Sequence, residues 1–405
     1  MTEFLPYGRQ TIEADDADAV LAALRDDFLT TGPRVAAFES AFAATVGTPH
    51  AVVCSSGTAA LYLAARALGI GSGARVIVPA LTFLATANGP HLAGAEIVFA
   101  DVDPVTGLMG PAHASEAAAR AEGPVAAAFP VHLNGQAADT AAIAAALPAE
   151  SAIVEDACHA LGTSARGGDG TWHPVGACAD SASSCFSLHP VKAVAMGEGG
   201  VVTTRDPALA DRARRLRNHG MSREPADFER HDLGFAADGA PNPWYYEMAE
   251  PGFNLRAPDL LCALGLSQLG KLGRFVARRE VLAALYDDRL APFAPLVRPV
   301  PRMPWSGHAR HLYAVLIDFA GAGMERATVM RRLRDRGIGS QVHYVPVHMQ
   351  PYYRARYGTL RLPGAEAYYA RCLSLPLFPG MAAADVERVV SALADVLHPA
   401  GRAAS

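Results

Sequence analysis

The chain has 405 residues, of which 51% are hydrophobic and 19% are charged, and its formal net charge is −5. This length and composition allow a large buried core and argue against intrinsic disorder. The small net charge gives no reason to expect nucleic acid as a partner, and no apolar run approaches the roughly 20 residues of a membrane span. The N-terminal residues show no signal-peptide pattern. We therefore expect a cytoplasmic protein with neither nucleic acid nor a membrane as partner.

Two amphipathic patterns near the N-terminus, at 16–28 and 34–47, predict helices. From residue 51 the pattern changes to short apolar runs with helical segments between them. The runs predicted to be strands lie at 51–54, 75–80, 96–102, 125–132, 152–157, 183–189 and 200–204. Strands that alternate with helices are typical of a mainly parallel sheet covered by helices on both faces. In such sheets ligands bind at the carboxyl ends of the strands.

The C-terminal half is predicted to contain a loop, a long helix and a smaller α/β unit. Residues 222–251, rich in aromatic residues, Pro and Gly, predict a loop or lid, and residues 257–290 predict one long helix. Beyond about residue 299 the predicted elements are strands at 311–319 and 339–347 and helices at 324–337 and 384–397. The chain is thus divided into an N-terminal segment with a large domain (1–255), linking helices (256–300) and a small α/β domain (301–405).

Lysine is rare in this chain, because of its 35 basic residues only Lys192 and Lys271 are lysines. Arginine can replace lysine where only positive charge is needed, but it cannot lose a proton to attack a carbonyl. Lys192 follows a predicted strand and precedes a glycine-rich turn at 197–200, which favours a reactive lysine beside a ligand. A surface lysine on a loop would have the same sequence. Lys271 lies among polar residues of the long helical pattern and is predicted to be solvent-exposed.

Two further motifs stand at the ends of predicted strands. Ser56, Gly57 and Thr58 precede a helix, and a helix start offers unpaired N–H groups to a phosphate. An ordinary helix cap is the more common meaning of such a motif. Asp156 is the next-to-last residue of the run at 152–157, where an unpaired carboxylate would be costly to bury. It can face the protonated nitrogen of a ligand or cap the next helix.

Together these residues predict a site for pyridoxal 5′-phosphate. This cofactor needs an amine for its aldehyde, an acid for its ring nitrogen and a helix start for its phosphate. Phe83, just after a predicted strand, is placed to stack on the cofactor ring. The six cysteines form neither a C-x-x-C pair nor a His/Cys cluster, so we expect no disulfide and no metal site. We interpret all six as small buried apolar residues.

Five segments resemble the sugar aminotransferases of the DegT/DnrJ/EryC1/StrS family, in that family's order and over nearly the whole chain. They are SSGTAALYLA, PALTFLATANGPHLAGAEIVFADVD, VEDACHALGT, FSLHPVKAVAMGEGGVVTT and GFNLRAPDLLCALGLSQL. The resemblance implies an α/β fold, the fold type I of pyridoxal-phosphate-dependent transferases. In that fold a large domain with a mainly parallel seven-stranded sheet is joined to a smaller C-terminal α/β domain. The segments at 243–248 and 339–353 are similar to the members that act in pseudaminic acid biosynthesis.

Position by position, the resemblance makes Lys192 the lysine that holds the cofactor as a Schiff base and Asp156 the partner of its ring nitrogen. The remaining cofactor contacts that it implies are Gly57, Thr58 and Ser187 at the phosphate, Phe83 and His159 at the ring, and Asn254 reaching from the neighbouring subunit. The implied contacts to the sugar nucleotide are Tyr7, Leu29, Thr30, His343, Tyr344 and His348. The implied partners are a nucleotide-linked keto-sugar, L-glutamate and a second copy of the chain in a homodimer with shared active sites.

Two positions depart from the family pattern, and several alternatives stay open. Leu188 and Ala193 stand where the family commonly has phenylalanine and asparagine, which we interpret as packing variation. A pyridoxamine-dependent sugar dehydratase would have histidine in place of Lys192. A different UDP-, GDP- or dTDP-linked sugar would need only altered pocket residues. A cofactor-binding regulator would need no reactive amine, and a dehydrogenase is disfavoured because no G-x-G-x-x-G follows the first predicted strand.

Overall fold

The computed structural model describes residues 4–397. In chain order the strands are β1 His50–Cys54, β2 Arg75–Pro79, β3 Glu96–Ala100, β4 Val125–Ala128, β5 Ala152–Asp156, β6 Ser164–Arg166, β7 Trp172–Pro174, β8 Ser183–Ser187, β9 Gly200–Thr204, β10 Met221–Ser222, β11 Glu247–Met248, β12 Val297–Pro299, β13 Tyr313–Ile317 and β14 Cys372–Leu375. The helices are α1 Ala14–Ala23, α2 Pro33–Val46, α3 Gly57–Ala67, α4 Leu84–Leu92, α5 Pro111–Arg120, α6 Thr140–Ala145, α7 Pro207–Leu216, α8 His231–Gly234, α9 Asp259–Leu269, α10 Leu272–Leu290, α11 Arg326–Asp335, α12 Pro351–Tyr357, α13 Pro363–Arg371 and α14 Ala383–Leu397.

Seven strands form the large sheet, in the order β1–β9–β8–β5–β4–β2–β3. Strand β9 is antiparallel to both of its neighbours, and the other neighbouring pairs are parallel. These seven strands are the ones predicted from the apolar runs, although most end earlier than predicted. The prediction of an α/β fold with a mainly parallel seven-stranded sheet is confirmed.

Alternation along the strands explains why helices cover both faces of this sheet. In β1, Val52 and Cys54 pack into one apolar cluster with α3, whereas Ala51 and Val53 pack into a second cluster with α2. Successive side chains of a strand point to opposite faces, so an all-apolar strand needs a layer on each side. The sheet is therefore the middle layer of three.

The C-terminal part contains an antiparallel sheet in the order β12–β13–β14. Strand β13 and helices α11 and α14 were predicted, but the strand predicted at 339–347 was wrong. That segment makes a single isolated bridge, from Gln341 to Ser374. Pro346 has no N–H to continue a ladder, and the neighbouring His343 and Tyr344 both line a cavity instead of alternating between faces. Strands β12 and β14, which lie beside β13, were not predicted.

The boundaries of the predicted parts, at residues 255 and 300, stay a proposal. A separate apolar cluster joins α10, α11 and α14 to the small sheet. However, Val300, Leu316 and Tyr368 belong to the cluster of the large sheet. The C-terminal part thus packs closely on the large sheet.

The long helix predicted at 257–290 is two helices, α9 and α10, whose axes meet at 57°. Gly270 is the residue that follows the last turn of α9, and Lys271 precedes the first turn of α10. No single helix among residues 4–397 is long and apolar enough to cross a membrane, and the bent pair meets that test only when its two helices are taken together.

The segment predicted as a loop or lid, 222–251, has little regular structure. It contains the second strand of the two-stranded β10–β11 ribbon and the short helix α8. Trp244 and Met248 in this segment are 71% and 59% exposed. Its role as a lid stays a prediction.

Lys271 lies at the break between α9 and α10, and the prediction that it is solvent-exposed was wrong. It is only 8% exposed, and its Nζ lies 2.7 Å from Asp15 Oδ1 and 2.6 Å from Asp16 Oδ1. Asp16 itself is fully buried. Sequence reasoning missed this ion pair because the partners are more than 250 residues apart along the chain. The ion pair holds α1 against the start of α10.

We expect Lys271→Met to lower the free energy of unfolding by about 3 kcal/mol, because Asp16 would stay buried without its cation. Chemical denaturation followed by circular dichroism measures this loss. Lys271→Arg keeps the charge and should lose clearly less. If both variants lost the same amount, shape rather than charge would explain the role of Lys271.

Candidate active site

The order of the strands brings three predicted groups to one edge of the large sheet. Asp156, the last residue of β5, is in register with Cys185 of β8, while Cys54 and Ser187 both pair with Gly200. Because β9 is antiparallel to β8, the connection between them leaves and returns at this edge. That connection carries Lys192, so the lysine, the carboxylate and the helix start after β1 are neighbours.

A cavity of about 540 Å³ opens at this edge. Most of the predicted site residues line it, namely Tyr7, Gly57, Thr58, Phe83, Asp156, His159, Ser187, Lys192, His343 and Tyr344. The cavity therefore collects the residues predicted for the phosphate, the ring, the amine and part of the sugar nucleotide.

Four predicted site residues do not line this cavity. Leu29, Thr30 and Asn254 are exposed at the surface. The contact of Asn254 with the neighbouring subunit's cofactor stays a prediction. His348 is only 3% exposed, and its ring centroid lies 6.3 Å from that of Phe99. This position gives no support to its predicted contact with the sugar nucleotide.

The start of α3 fits a phosphate group. Ser56 caps the helix by accepting a hydrogen bond of 3.1 Å from Ala59 N–H, and Gly57 and Thr58 form the first turn at the cavity wall. A Cβ atom on Gly57 would lie 2.8 Å from Cβ of Ser187, so only glycine lets the helix start approach this close. The unpaired N–H groups of the first turn and the hydroxyls of Thr58 and Ser187 are suitable donors to an anion.

Asp156 is a buried carboxylate held by two hydrogen bonds. Thr86 Oγ1 donates to its Oδ2 at 2.6 Å, and the N–H of Cys158 donates to its Oδ1 at 3.1 Å. Thr86 is in turn 2.7 Å from Thr82 Oγ1. A carboxylate has about four acceptor positions, so Asp156 can still accept a bond from a protonated ring nitrogen. These hydrogen bonds fix its orientation at the cavity wall.

Lys192 brings the only amine among the described residues that line this cavity. Burial lowers the pKa of Lys192, and the nearby Asp156 carboxylate offsets part of this shift. A lower pKa increases the fraction of neutral amine, which is the form that attacks a carbonyl. The position and the protonation of Lys192 thus both fit the predicted role.

His159 and Tyr344 form a hydrogen-bonded pair on the cavity wall. The N–H of Asn134 donates to His159 Nδ1 at 3.4 Å, and His159 Nε2 lies 3.0 Å from the hydroxyl of Tyr344. Burial lowers the pKa of His159 well below its usual value, so the ring is neutral. Since Nδ1 accepts a hydrogen bond, the proton is on Nε2 and is donated to Tyr344. Phe83 lies beside Tyr344, with ring centroids 5.8 Å apart.

Sequence reasoning missed several residues of this site. Thr86 holds Asp156, yet its only signal was its place four residues after Thr82 in the segment after β2. His311 lines the cavity although it precedes β13, far from the other site residues in the chain. Cys158 also lines the cavity and is only partly buried, which corrects the interpretation that all six cysteines are buried apolar residues.

The mainly parallel seven-stranded sheet is the fold of pyridoxal-phosphate-dependent aminotransferases, whose solved structures it matches. The chain belongs to the DegT/DnrJ/EryC1/StrS aminotransferase family, whose model matches residues 10–394. It is 39% identical over 401 residues to the spore coat polysaccharide biosynthesis protein SpsC of Bacillus subtilis (strain 168), and the match covers 98% of both chains.

Two solved structures are similar over almost the whole chain. PseC of Helicobacter pylori, an aminotransferase involved in the biosynthesis of pseudoaminic acid, has a TM-score of 0.86 and 26% identity, with 98% of this chain and 99% of that chain covered. Spr1654 of Streptococcus pneumoniae, in its PLP form, has a TM-score of 0.84 and 25% identity, with 97% and 98% covered. The chain is therefore a sugar aminotransferase that uses pyridoxal 5′-phosphate.

Proposed function

We propose that this enzyme transfers the amino group of L-glutamate to C4 of a UDP-linked 4-keto-6-deoxy-N-acetylhexosamine. The product would be UDP-4-amino-4,6-dideoxy-N-acetyl-β-L-altrosamine, a precursor of pseudaminic acid. The observation that carries the proposal is the grouping of Lys192, Asp156 and the start of α3 around one cavity. The segments at 243–248 and 339–353 and the similarity to PseC support this particular sugar.

When bound, pyridoxal phosphate supplies a carbonyl that receives an amine and a ring that accepts electrons. The start of α3 and Ser187 hold its phosphate, and Asp156 keeps its ring nitrogen protonated. Lys192 Nζ holds the cofactor between turnovers. Once released, the same amine moves a proton to and from the carbon that bears the amino group.

The cavity must admit both a small amino acid and a large sugar nucleotide. Its volume of about 540 Å³ lies within the usual range of ligand pockets. Tyr7, His343 and Tyr344 form the wall that we assign to the sugar nucleotide. We further propose a homodimer in which Asn254 reaches the neighbouring subunit's cofactor, a role that fits its exposed position.

A second candidate keeps the chemistry and changes the sugar. SpsC is more similar in sequence to this chain than PseC is, and its name places it in spore coat polysaccharide biosynthesis. This similarity favours another UDP-, GDP- or dTDP-linked keto-sugar as the acceptor. A regulator without catalysis is disfavoured, because it would not need the amine of Lys192.

We expect the UDP-linked 4-keto-6-deoxy-N-acetyl sugar to be aminated with a kcat/KM more than about tenfold above those of GDP- and dTDP-linked keto-sugars. The test converts the enzyme to its pyridoxamine form with glutamate, removes the glutamate and adds each sugar in turn. Recovery of the visible absorbance of the lysine-bound cofactor reports the reaction, and NMR of the product gives the stereochemistry. A faster reaction with a GDP- or dTDP-linked sugar would instead favour the second candidate.

A further inference from the structure

Four histidines line the cavity, and three of them are buried, whereas His189 is exposed. His159, His311 and His343 are between 5% and 8% exposed. The ring of His159 lies 4.6 Å from that of His311 and 6.5 Å from that of His343, centroid to centroid. Burial lowers the pKa of each of them, and the charge of Lys192 acts in the same direction on all three. The group is therefore a wall of neutral rings near the reactive amine.

The three buried histidines differ in the hydrogen bonds that their ring nitrogens make within the protein. Both nitrogens of His159 have partners, Asn134 N–H and the hydroxyl of Tyr344. Nδ1 of His343 is 2.8 Å from Ser374 Oγ. Within residues 4–397, Nδ1 of His311 is buried and has no hydrogen-bond partner. Buried polar groups of native proteins are almost always paired, so the unpaired Nδ1 makes His311 the member of the group that still needs a partner.

A buried positive charge acts on His311. Arg279, on the buried face of α10, is only 2% exposed, and its Nε and Nη1 have no hydrogen-bond partner among the described residues. Burial lowers the pKa of Arg279 to about 10, which still leaves the guanidinium charged at neutral pH. Its charge also contributes to the lowered pKa of His311. An isolated buried cation is costly, so this part of the protein is suited to an anion.

An amino-acid donor brings such an anion to this place. Its amino group must take the position of Lys192 Nζ, and its α-carboxylate is attached to the carbon next to that amine. No arginine lines the cavity among the described residues, and Lys192 is needed for the reaction itself. We propose that His311, supported by the charge of Arg279, forms the subsite that receives the α-carboxylate of the amino donor. This inference rests on the proposed aminotransferase function.

The test compares two amino donors in the first half-reaction, L-glutamate and benzylamine, which has no carboxylate. We expect His311→Phe to raise the half-saturating concentration of glutamate by about tenfold or more, because a charge-assisted hydrogen bond is lost. The half-saturating concentration of benzylamine and the KM for the nucleotide sugar should change by less than about twofold, because neither substrate carries a carboxylate for His311 to bind. His311→Asn keeps an N–H donor and should recover part of the affinity for glutamate.

His308→Phe is a matched control, since His308 lies three residues before His311 but does not line the cavity. It should leave both donors unchanged, and cofactor content measures whether each variant is folded. An equal loss with glutamate and benzylamine, or no loss with either, would overturn the carboxylate subsite. A wild-type enzyme that accepts amino groups from no amino acid would overturn the proposed function itself. Failure of the subsite and failure of the proposed function can be told apart, because the second is measured on the wild-type enzyme alone.

Discussion

Lys192→Arg is expected to lower kcat/KM by more than about a thousandfold, because the variant keeps a positive charge but loses an amine that can give up its proton. Lys192 lines the cavity, and burial lowers its pKa, which favours the neutral amine that the proposed reaction needs. Lys271→Arg provides the matched control, since it makes the same exchange at the only other lysine of the chain. That variant should keep nearly full activity per folded molecule.

The small number of lysines makes the attachment site easy to identify. Borohydride converts a Schiff base between lysine and cofactor into a stable amine, which peptide mass spectrometry then assigns to one of two lysines. We expect the label on Lys192 in the wild type and in Lys271→Arg, and no label in Lys192→Arg. Label on Lys271, or a visible cofactor band that persists in Lys192→Arg, would contradict the assignment.

Most strands of the large sheet could be predicted because they are buried on both faces and therefore appear as apolar runs, although β8 contains three serines. Local signals of this kind need no partner to be recognised. The strands β12 and β14 of the small sheet were missed because they are only three and four residues long. Residues 339–347 gave the opposite error, because the apolar and aromatic residues that favour a strand serve here as a cavity wall.

The active site shows the same difference between residues with a local sequence signal and residues whose role depends on distant contacts. Gly57, Asp156 and Lys192 could be predicted because each stands at the end of a strand, where the topology of an open sheet places its ligands. Thr86 and His311 could not, since their roles depend on contacts made across the fold. Sequence thus predicted residues that the structure groups around one cavity, whereas the side chains that contact them across the fold required the structure.

Asp156→Asn is expected to lower kcat by about 100- to 1,000-fold, because a neutral amide cannot keep the ring nitrogen of the cofactor protonated. The substitution keeps the size of the side chain and an oxygen that can accept the hydrogen bond from Thr86, so the fold should be preserved. Steady-state kcat, measured on preparations with equal cofactor content, tests this. A variant that kept more than a tenth of the activity would favour the other interpretation of Asp156, a carboxylate that only caps the following segment.

The neighbouring Glu155 is the control for that experiment. It is buried like Asp156 but lies on the other face of β5, where it accepts hydrogen bonds from Thr140 at 3.0 Å and from Ser184. Glu155→Gln should therefore lower the free energy of unfolding by about 1–3 kcal/mol, because its buried partners lose a charged acceptor, and leave kcat nearly unchanged. Different effects at these adjacent positions would follow from the alternation of side chains along a strand, which directs Asp156 to the cavity and Glu155 away from it.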